Sequence, residues 1–93
     1  VDLSKYDKVI LGMPTWWNHV PPCVGFFLKN AALKRITVFV TNSGMPLNVD
    51  DEIKRVSPNT DVESSKIIEF TPLVEPSRLV TPLEEIDAWI ETL

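Results

Sequence analysis

The sequence predicts an α/β domain in which parallel strands alternate with helices, truncated to about three of each. Two observations concern strands. Val9-Ile10-Leu11 and Ile36-Thr37-Val38-Phe39-Val40 are short apolar runs, the pattern of strands covered on both faces of a parallel sheet. A third concerns order: each strand signal is followed by helix-start chemistry, and the first and last helices carry a 3.6-residue apolar repeat. Right-handed crossovers then give parallel strands flanked by helices.

Taken along the chain, the first strand covers Val9 to Leu11 and stops at Gly12. Asn18-His19 before Pro21-Pro22 reads as a helix start, with a side-chain acceptor followed by prolines where no N–H is needed. The helix is predicted over Val20 to Ala32, with a buried stripe of Val20, Val24, Phe27, Leu28 and Ala31. Gly25 weakens it by about 1 kcal/mol relative to alanine. Ile36 to Val40 is the clearest strand, and Thr41 to Gly44 reads as loop by composition. Asn48 caps a short helix with Asp50, Asp51 and Glu52 in its first turn and Lys54 and Arg55 near its end. A third strand is expected at Lys66 to Phe70, then a surface loop from Thr71 to Val80. Thr81-Pro82-Leu83-Glu84 has the form of a capping box opening a last helix. The buried stripe of that helix is expected at Leu83, Ile86, Ile90 and Leu93.

Composition narrows the function classes. Residues 1–93 suffice for a single, partial domain, burying roughly 60–65% of its unfolded surface. The net charge of −4 provides no basic stripe for nucleic acid, whereas it suits docking to a basic protein. No apolar run reaches a membrane-spanning length, and no signal peptide opens the chain. One cysteine excludes an internal disulfide and fits a cytoplasmic location. The start at Val1 without methionine reads as a fragment.

In parallel α/β sheets ligands bind beyond the carboxyl ends of the strands. Two loops fall there, Met13 to His19 and Thr41 to Pro46. Trp16 and Trp17 are adjacent and cannot both enter one core, so at least one presents a flat face that suits a planar aromatic ligand. The alternative is that one Trp packs under the loop while the other covers the helix end. Thr41, Asn42, Ser43 and Gly44 bring hydroxyls, an amide and flexible backbone to the same edge, groups able to bond the rim of a heterocycle.

Tyr6-Asp7-Lys8-Val9-Ile10-Leu11-Gly12-Met13-Pro14-Thr15-Trp16-Trp17 resembles the flavodoxin pattern that leads into the first flavin-stacking loop. Val20-Pro21 and Phe27-Leu28 fit the following helix. Phe39 to Gly44 is similar to the next strand and second flavin loop, and Glu85 to Ile90 to the last helix. The likeness is specific over residues 6–28, moderate over 36–44 and weak over 45–80.

The resemblance implies FMN as cofactor and electron transfer as the activity. Trp16, with Trp17, would flank the ring, while Pro14, Thr15 and Asn18, with Thr41, Asn42, Ser43 and Gly44, would meet its polar edge. It also implies the C-terminal half of the fold. The family's Ser/Thr/Gly-rich phosphate loop at a helix N-terminus has no match, so FMN binding by this chain is expected to be weak. The leading strand 9–11 then becomes an exposed apolar edge, and a homodimer or pairing with a separately encoded first half is expected. Two alternatives remain open: an NAD(P)H-dependent quinone or flavin reductase of the same superfamily, and a non-redox interaction module.

Three residues carry weaker signals. His19 reads as a solvated helix-start residue, with docking or titration near a flavin as its alternative. Cys23 reads as small apolar filler. Glu84, Glu85 and Asp87 read as favourable N-terminal helix charge and a solvated face.

Overall fold

The computed structural model describes residues 3, 5, 6, 8–16, 18–31, 33–44, 47–72 and 76–93. Among them the order is β1 (Ile10–Pro14), α1 (Pro22–Ala31), β2 (Arg35–Asn42), α2 (Val49–Val56), β3 (Asp61–Glu69) and α3 (Leu83–Glu91). The strands are parallel and lie side by side in chain order, with β2 central. The predicted α/β architecture is therefore present.

Successive right-handed crossovers in one direction put α1 and α2 on the same face of the sheet. Ile36, Val38 and Val40 of β2 meet Met13 of β1, Leu28 of α1 and Val49 and Ile53 of α2 there, all buried. The opposite face of β2 presents Thr37 and Phe39. Thr37 is buried and Phe39 half-buried, so β2 is covered on both sides as its apolar run implies.

β1 departs from expectation in extent and in burial. It runs on through Gly12, Met13 and Pro14, pairing Ile10 with Thr37 and Pro14 with Thr41. Its burial alternates: Met13 faces the core, whereas Ile10 is 48% exposed. The reason is that no described helix covers its outer face, where Phe39 lies across Gly12. A Cβ at Gly12 would come within 2.2 Å of the Phe39 ring.

α1 begins at Pro22, two residues later than predicted, and Ala32 lies outside the described residues. Asn18 does not serve as its cap; it occupies a turn upstream. Cys23 is exposed, so it is not core filler. α2 matches its sequence signals, since the Asn48 Oδ1 accepts from Asp51 N at 3.1 Å.

β3 starts five residues before the predicted Lys66. Asp61 to Ser65 lack an apolar run, but they pair with Arg35 to Val38 across a register irregularity at Ile36/Thr37. Lys54 of α2 bonds the Asp61 carboxylate and anchors that end. The described flanks of the loop after β3 are joined by main-chain bonds. Thr71 N donates to Arg78 O at 2.8 Å, and Val80 N to Glu69 O at 2.7 Å.

Two expectations for α3 fail. Thr81 does not cap it: its Oγ1 accepts from Glu69 N at 2.7 Å, and Pro82 holds the N-cap position without a side-chain bond. The expected buried stripe is at most half realised: Ile86 and Leu93 are half-buried, whereas Leu83 is 60% and Ile90 53% exposed. α3 instead sits over β3, where Trp89 Nε1 donates to Ser64 Oγ at 2.9 Å and Lys66 Nζ donates to Glu85 at 3.1 Å. Because it covers β3 alone, the side of α3 bearing Leu83 and Ile90 meets no sheet. No helix among the described residues is long and apolar enough to cross a membrane.

The contrast between two glycines is testable. A Cβ at Gly25 would meet Val56 at 3.6 Å, ordinary contact, so Gly25→Ala is expected to gain up to ~1 kcal/mol through helix propensity. Gly12→Ala is expected to cost about 1–3 kcal/mol, because the Phe39 ring must move. Urea unfolding of both variants checks the opposite signs.

Candidate functional site

The carboxyl ends of β1 and β2 meet because their parallel pairing continues to the last residue of β1, with Pro14 opposite Thr41. One step further, Thr15 N donates to Thr41 O at 3.1 Å. The two loops singled out from sequence are thus joined at their roots.

Beyond Thr15 the chain closes a four-residue turn. Trp16 N donates to His19 O and His19 N to Trp16 O, both at 3.0 Å. Asn18 has φ of 63° within it, a left-handed position that asparagine tolerates better than most residues. The turn leaves Trp16 53% exposed at the sheet edge. Trp17 lies outside the described residues.

The second loop begins later than composition suggests, since Thr41 and Asn42 end β2. Asn42 is buried, and its Oδ1 accepts from Gly44 N at 3.0 Å, forming a side-chain-closed turn. Gly44 sits at φ 93°, which a side chain would strain. Ser43 and Gly44 are exposed. Asn42 therefore turns its acceptor toward its own loop, leaving hydroxyls and main chain as the accessible polar groups of this edge.

A charged cluster adjoins the first loop. Glu52 of α2 lies 2.8 Å from His19 Nδ1 through Oε1 and accepts from Val20 N at 3.2 Å through Oε2. Arg55, one turn on, donates to both oxygens, with Nη2 at 2.8 Å. The Glu52 side chain is only 12% exposed. A carboxylate can only accept, so His19 Nδ1 carries the proton in this contact. Arg55 holds the Glu52 carboxyl at about 2, with the His19 and Val20 bonds adding to the effect and burial opposing it. Sequence reasoning placed Glu52 and Arg55 only as helix charges, and His19 as a solvated helix-start residue or one that docks a partner or titrates near a flavin, with no link to Glu52. The spacing of 52 and 55 signalled their mutual pairing, but nothing local linked either to position 19.

A flavodoxin family model matches residues 1–92. The chain belongs to the flavodoxin family. No curated protein and no solved structure matches it. Membership in the flavodoxin family suggests flavin binding, and the site's chemistry suits the ring more than the phosphate. An exposed indole and a hydroxyl-bearing loop share one edge. The described helix starts, by contrast, are poor phosphate sites: α1 opens on Pro22, α2 carries Asp50, Asp51 and Glu52, and α3 carries Glu84 and Glu85.

Because the Glu52 carboxyl is lowered from 4.5 to about 2 on folding, its stabilisation is complete above pH 4.5. It is lost as pH falls towards about 2. Glu52→Gln is expected to cost about 1–3 kcal/mol at neutral pH. It should also flatten the dependence of stability on pH across that acid window. Urea unfolding at stepped pH measures both.

Proposed function

We propose that this flavodoxin-family chain carries the ring-holding part of an FMN-dependent electron-transfer site. The Thr15–Thr41 main-chain bond carries the reading, because it brings the Trp16 loop beside Thr41 to Gly44 at the edge where such sheets bind ligands. Trp16 flanks the ring face. Main-chain groups of Pro14 to Asn18 and polar groups of Thr41 to Gly44 meet its rim; the place of Trp17 in this set rests on sequence. FMN, when bound, supplies the electron-accepting chemistry, and the protein orients the ring and limits water around it. No side chain is required as acid, base or nucleophile.

Fluorescence titration with FMN and with riboflavin tests the assignment. Weak binding with closely similar affinity for both is expected, since the described helix starts repel or lack donors for a phosphate. Trp16→Ala is expected to weaken both about two- to tenfold, the worth of one stacking contact. Equal binding by wild type and Trp16→Ala would overturn the ring assignment.

We also propose that the open edge of β1 pairs with a further strand, from a second copy or from a separately supplied first half of the fold. Among the described residues β1 is bonded to β2 alone, and Ile10 is exposed beside its other edge. An unprotected parallel edge of this kind templates pairing. Light scattering at micromolar concentration is expected to give a dimer, and a monodisperse monomer that also ignores the first half would refute the pairing.

A further inference from the structure

We infer that Glu52 is a positioning residue for the Trp16 loop, holding from α2 the turn that presents the indole to the ligand. The inference rests on the ring-holding role proposed above and deepens it. Four observations converge on one carboxylate. Its Oε1 accepts a hydrogen bond from His19 Nδ1 and its Oε2 accepts one from Val20 N, so both contacts fall where the loop enters α1. His19 is in turn bonded twice through its main chain to Trp16. Arg55 forks onto the same carboxylate from the next turn of α2 and fixes its rotamer. The carboxylate itself is largely sheltered from solvent, which strengthens these bonds relative to a surface pair.

The loop is thus held at both ends. At its start Thr15 N is bonded to Thr41 O, in continuation of the sheet. Its far end, past the turn closed by the two Trp16–His19 main-chain bonds, joins no strand of the sheet among the described residues. Glu52 supplies the second anchor. A helix packed in the core through Val49 and Ile53 is a rigid mount for it, since those residues lie on either side of Glu52 in sequence and are buried. Loops set within narrow limits by a supporting bond bind better than the same loops left free.

Amide exchange by NMR and flavin titration with the full chain test this together. In Glu52→Ala the Trp16 and His19 amides are expected to exchange at least tenfold faster, while Val38 and Val40 of β2 keep wild-type protection. FMN affinity is expected to fall at least fivefold in the same variant and to recover in part in Glu52→Gln, which retains an acceptor for Val20 N. Unchanged exchange at Trp16 and His19, or an equal rise at Val38 and Val40, would overturn the inference, the latter by making Glu52 a general stabiliser. If wild type itself ignores FMN and riboflavin, the ring assignment fails, and the exchange data alone still decide whether Glu52 holds the loop.

Discussion

Ile36, Val38 and Val40 lose contact with water completely against α1 and α2, and every other feature of the chain is placed relative to that contact. Each such side chain contributes about 1.5–3 kcal/mol of apolar burial. The period-2 alternation of a strand makes the burial specify register, because a one-residue slip would bring Thr37 and Phe39 into the core instead. With β2 fixed, β1 and β3 are fixed through their ladders, and the ends of β1 and β2 must arrive at one edge together.

That edge is built from three tethers of different kinds. The Thr15–Thr41 bond extends the sheet by one residue past Pro14. The Asn42–Gly44 contact closes the second loop on itself. The Glu52 carboxylate joins the first loop to a helix that follows the second. The first two follow from strand pairing and turn chemistry. The third connects residues more than thirty positions apart. Together they leave Trp16 as an exposed flat surface on a constrained mount, a combination suited to stacking on a planar ligand.

The same sheet is unevenly covered. α1 and α2 seal one face, whereas α3 reaches only β3 through Trp89 and Lys66. Ile10, Leu83 and Ile90 remain exposed as a result. In sequence these residues look like core, but periodicity reports which side of a helix is apolar, not whether a neighbour lies against it. Asp61 to Ser65 depart in the other direction: a stretch with one apolar residue, Val62, is strand because β2 offers a ladder beside it and Val62 packs against the core.

What the sequence determined by itself was the type and order of the elements and the two loops proposed to carry the site. Apolar runs, the Asn48 cap and the prolines before α1 act over a few residues, so they are legible in a linear string. The likeness of residues 6–28 to flavodoxins was legible for the same reason, being a contiguous pattern. Tertiary structure alone decided the length of β3, the diversion of Thr81 from helix cap to strand tether, and the bond from Glu52 to His19. Each of these depends on a partner distant in the chain, and a carboxylate on a helix looks solvated until the fold brings a histidine and a free amide to it.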